Sequence, residues 1–102
     1  MNVVKIMAIA EKYPDNTAIA GMRASLLEAM IQLRNARHFL TVFDHRLIQV
    51  IEGSDNFTPT LDTHIATTAA EIVAAEHVLF RTTCAIAPAL IAMGETDSCL
   101  KF

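Results

Sequence analysis

Four histidines, two cysteines and eleven acidic side chains carry the reactive chemistry of this sequence. His38, His45, His64 and His77 are too widely separated to form the close pair that local metal motifs use. His64 and Glu71 are seven residues apart and share one helix face, with Thr67 and Thr68 between them, which reads as a solvated surface. Cys84 and Cys99 lack metal-type spacing and are expected to be reduced thiols, with Cys84 buried as a small, inert hydrophobe. Asp44, Glu52, Glu71 and Glu76 are not placed beside one another as acid–base catalysis would require. The three glycines, Gly21, Gly53 and Gly94, form no phosphate-cradling loop. No catalytic residue, metal site or cofactor is assigned on these grounds.

At 102 residues the chain is read as a single domain, 1–102, near the lower end of comfortable size. Hydrophobic residues make up 53% of it, and the mean hydropathy is +0.38. So small a domain cannot hide that much apolar surface internally, which points to a partner and most simply to a second copy. A membrane span is not expected, because the longest uncharged stretch, Thr82 to Gly94, is too short and contains Pro88. The net charge is −3, with eight Lys and Arg scattered along the chain, so nucleic acid is not an expected partner. With no secretory leader recognisable, the expected location is the cytoplasm.

The elements that would position these groups follow from periodicity and punctuation. Residues 2–10 read as a strand, on Val3, Val4, Ile6 and Ile9. The sequence Tyr13-Pro14-Asp15-Asn16 is turn chemistry, after which Asn16 or Thr17 caps a helix running to about Arg37. Its inward face is Ile19, Met22, Leu26, Met30 and Leu33. Phe39–Phe43 and Leu47–Ile51 then read as a hairpin around an Asp44-His45-Arg46 turn. Gly53 to Asn56 is a loop, and Thr58-Pro59 starts a second helix reaching about Glu76. His77 to Ile86 reads as a last strand ended by Pro88, before a short helical turn, Ala89 to Met93, stopped by Gly94.

This order, strand–helix–strand–strand–helix–strand, predicts an α+β ferredoxin-like βαββαβ fold, a four-stranded antiparallel sheet with both helices on one face. Alternation turns Val4, Ile6, Leu40, Val42, Ile48, Val50 and Phe80 toward the helices. The opposite face then carries Met7, Phe39, Thr41, Phe43, Leu47 and Gln49, with Lys5 and Arg81 among its polar interruptions. An apolar face relieved by a few orienting polar groups suits either a dimer interface or a small apolar ligand. Covering it is worth about 25 cal/mol per Å2 of apolar surface. The candidate ligand or interface residues are therefore Met7, Phe39, Thr41, Phe43, Leu47, Gln49 and Arg81.

Asn35-Ala36-Arg37, then Thr41, then Gln49-Val50-Ile51-Glu52-Gly53 resembles the middle of a BLUF domain, the flavin-binding blue-light sensor family. The resemblance implies a ferredoxin-like sheet, with Asn35 matching a flavin-contacting asparagine and Gln49 the switching glutamine. The chain lacks the strand-one tyrosine of that family, has Val42 where a glycine follows the threonine, and has a shorter hairpin. The resemblance is therefore used as support for topology alone.

The expectation is thus a small non-catalytic binding or interaction domain, homodimeric through its apolar sheet face. Two alternatives stand beside it: a cofactor-independent enzyme of the dimeric α+β barrel type, and a flavin-sensor relative without photochemistry.

Overall fold

The computed structural model describes residues 2–53 and 59–102. It is all-helical: α1 spans Val3–Ala10, α2 Thr17–Ile51 and α3 Pro59–Ala92, followed by one 3-10 turn, Ser98–Leu100. Among the described residues there is no strand, so the α+β ferredoxin-like sheet is not formed. The expected strands at 2–10, 39–43, 47–51 and 77–86 all lie in helices, and so does the Asp44-His45-Arg46 turn. The expected cap at Thr58 lies outside the described residues.

Burial shows why helix wins. Along α2 the residues Ile19, Met22, Leu26, Ala29, Leu33, Ala36, Leu40, Phe43, Leu47 and Val50 alternate three and four apart, and none is exposed. That is a heptad seam, which only a helix can present to one side. On α3 the same alternation runs through Leu61, Ile65, Thr68, Ile72, Ala75, Leu79, Thr82, Ile86 and Ala89, again with no exposed member. The β-branched and aromatic residues that suggest strands are spaced for a seam, and their strand propensity, a matter of about 1 kcal/mol, yields to that burial.

Helix ends are made by local chemistry. Asn2 caps α1, its Oδ1 accepting from the Lys5 N–H at 3.0 Å, and Asn16 caps α2 by accepting from the Ile19 N–H at 3.1 Å. Beyond α3, Gly94 adopts a φ of 96°. Its N–H donates to the Ile91 carbonyl at 3.0 Å while the Glu95 N–H reaches Leu90 at 3.2 Å, the paired bonds of a Schellman cap. Gly53, with a φ of 80°, follows α2 in the same left-handed conformation. Pro88 does not end α3, which runs through it to Ala92.

The chain divides into two compact units, Met1–Met30 with His77–Phe102, and Ile31–Glu76. In the first, α1, the start of α2 and the end of α3 bury a core that includes Ile6, Leu26, Ile86 and Leu90, together with Leu100 of the 3-10 turn. The buried Thr83 hydroxyl donates back to the Leu79 carbonyl at 2.7 Å, so its polarity is satisfied within the helix. Arg23 donates from Nε to the Met7 carbonyl at 3.3 Å and pairs with Glu11, tying α2 to α1. The tail is held by Lys5 to Asp97 at 3.1 Å and by Lys12 and Tyr13, both on Glu95 Oε1. Cys84, expected inside, is exposed, whereas Cys99 is half-buried and burial raises its thiol pKa.

The Tyr13 hydroxyl donates to Glu95 at 2.7 Å, and this bond, followed by desolvation, raises the phenol above its ordinary 10.0. A folded-state pKa raised in this way contributes stability that is complete below the unfolded pKa and is lost as pH climbs through the folded one. Ultraviolet titration of the single tyrosine is expected to give a midpoint above 10.0. Glu95→Gln removes the carboxylate charge and should move that midpoint back down. Equal midpoints in the two proteins would show that the tail is not held there in solution.

The second unit pairs the end of α2 with the start of α3. Arg37 meets Glu76 at 3.3 Å, and the Phe43 ring lies 5.3 Å from that of His64, so the two segments run antiparallel. Its buried residues are small or few: Ala36, Leu61, Thr68 and Ala75. Ile31, Phe39, Val42, Ile48, Ile51 and Val73 are all exposed.

Candidate functional site

A helix brings residues four apart onto one face, and in the second unit this stacks Phe39 on Phe43, centroids 6.5 Å apart and planes 23° from parallel. His38 meets Phe39 edge-on at 5.8 Å, and His64 from α3 closes the row against Phe43. Thr67, Thr68 and Glu71 complete the wall of an open groove of about 340 Å3. Phe39 is 53% exposed, and His64 and Glu71 are exposed as well. The groove therefore offers stacked aromatic surface edged by an imidazole, two hydroxyls and a carboxylate.

A general acid or base works where water is excluded around the reacting group, and both titratable groups here face solvent. Among the described residues no cluster of three or more His, Cys, Asp or Glu is disposed to hold a metal ion. The first unit has a separate groove of about 410 Å3, lined by Cys84, Ala87, Pro88, Ile91, Leu100 and Phe102 without any charged group.

Of the seven sequence candidates, the structure brings Phe39 and Phe43 together in the aromatic groove. Thr41 is exposed on α2 with its hydroxyl bonded to the Arg37 carbonyl at 3.0 Å, while Leu47 and Gln49 are half-exposed on the same helix. Met7 is buried in α1 and Arg81 exposed on α3, both within the first unit. The common sheet face expected for the seven is not formed among the described residues. Asn35 and Gln49, which carry the flavin-sensor resemblance, both lie on α2, so Gln49 is not on the strand that the resemblance implies. Sequence reasoning missed His64 as an aromatic neighbour of Phe43, although the His64–Glu71 spacing had already placed those two on one helix face.

Among the described residues no helix is long and apolar enough to cross a membrane. No family model, curated protein or solved structure matches the chain.

Proposed function

We propose that this chain is a non-catalytic helical interaction module whose docking surface is the apolar exterior of the Ile31–Glu76 unit, centred on Phe39 and Phe43. One observation carries the reading: large apolar side chains stand outside this unit, while among the described residues only Ala36, Leu61, Thr68 and Ala75 are buried within it. A helix pair that buries so little can gain stability by laying its exposed side chains against another apolar surface. The sheet–helix cavity required by the enzyme alternative is not formed among the described residues.

The test is binding of an environment-sensitive naphthalene dye to the dilute chain. Wild type is expected to enhance its fluorescence, and Phe39→Asp with Val42→Asp to remove most of the enhancement while circular dichroism stays helical. At a concentration where scattering shows the chain to be monomeric, a wild type that leaves the dye dark, or a variant that lights it equally, overturns the reading. The groove volume and its aromatic row support a second, compatible reading, in which a small apolar ligand stacks on Phe39 and Phe43.

A further inference from the structure

The partner that fits this surface best follows from how charge is divided between the two helices. On α2 between residues 31 and 51 stand Arg34, Arg37 and Arg46 against a single acid, Asp44. On α3 between residues 59 and 76 stand Asp62, Glu71 and Glu76, with no lysine or arginine at all. One helix of the unit is therefore basic and the other acidic, and Arg37–Glu76 already joins them within one chain.

Resting on the reading above, we infer that the occupant is a second copy of the chain, docked about a two-fold axis running along the helices to make a four-helix bundle. Such an axis sets the α2 of each copy beside the α3 of the other, antiparallel. Around the bundle the helices then alternate basic and acidic, and like helices sit on the diagonals. Any isologous contact is made twice, so the complementarity doubles. A third chain of uniform charge would favour one helix and be repelled by the other. The size is also suitable. Two helices of this length, about 30 Å, and about 10 Å wide present a face on the order of 600 Å2. A standard stable interface buries about 800 Å2 per partner. Ile31, Phe39, Val42 and Val73 supply apolar side chains for the bundle interior, and the observed heptad seams have the periodicity of such bundles.

The experiment is light scattering across concentration on wild type and two charge-reversed chains. One carries Asp62→Lys and Glu71→Lys, making both helices basic. The other carries Arg34→Glu and Arg46→Glu, making both acidic. Wild type is expected to be dimeric with a dissociation constant of about micromolar or below, and each variant alone to bind itself at least roughly tenfold more weakly. Mixed in equal amounts, the two should associate again, because basic helices then face acidic ones. Circular dichroism of each variant checks that it is still helical. A wild-type chain that remains monomeric while binding the dye overturns the second-copy inference and leaves a different protein helix as occupant. A dimer that forms equally well when Phe39→Asp and Val42→Asp are introduced overturns the docking reading itself. If the mixture associates no better than either variant alone, the alternating arrangement is wrong.

Discussion

Replacing Leu26 by alanine is expected to lower the unfolding free energy by about 2–5 kcal/mol, the range for large-to-small changes at closed core sites. Leu26 is 0% exposed at the centre of the α2 seam in the first unit, so the deleted carbons leave a space that its surroundings must shift to fill. Leu27, the next residue, is 43% exposed. Leu27→Ala should fall within about 0.5 kcal/mol of wild type, the usual range for surface sites. Denaturant unfolding of the two variants side by side checks this, with the slope expected to be shared so that only the midpoint moves. Equal losses at the two positions would mean that α2 is not seated by this face.

The second large expectation has the opposite sign. Pro88 lies inside α3, is exposed, and has no N–H to give to the Cys84 carbonyl four residues earlier, which its ring also crowds. An alanine there restores the bond and relieves the crowding, and the general penalty for an interior proline is about 3 kcal/mol. Pro88→Ala is therefore expected to stabilise the chain by about 1–3 kcal/mol, read as a higher denaturant midpoint. The Gly94 cap lies beyond the change and should persist. A lower midpoint would show that the proline itself helps to seat the fully buried Leu90.

The punctuation of this fold is legible in the sequence, whereas the middle of its helices was misread. Asn16 as a cap, Pro59 as a first helical residue and Gly94 as a stop all act through local chemistry that depends on one residue type: a bond in the first and last, a fixed φ and a missing N–H in the second. The stretch from Phe39 to Ile51 failed because residue type and spacing disagreed. Phe, Val, Ile and Thr favour strands in isolation, but Leu40, Phe43, Leu47 and Val50 continue the rhythm begun at Ile19 without a break. Following that rhythm past Arg37 would have shown one long helix, since a three–four alternation has no use in a sheet. The same test applied after Glu76 joins Leu79, Thr82 and Ile86 to α3. Two of the six residues lining the candidate groove were visible for related reasons. Phe39 and Phe43 were singled out as neighbours on a strand face. They are neighbours because four residues also make one helical turn. His64 could be joined to them only by knowing which helix lies opposite, and that information is tertiary.

The seam also has a consequence for length. Because its unit is seven residues, inserting one heptad into each helix of the second unit would carry every seam position onto an equivalent one. Each such insertion adds about 10 Å of helix, so the length of this helix pair can change in fixed steps while the side chains that zip it keep their order. The Ile31–Glu76 unit is in this respect graduated in length, with its steps written in the alternation from Leu33 to Val50.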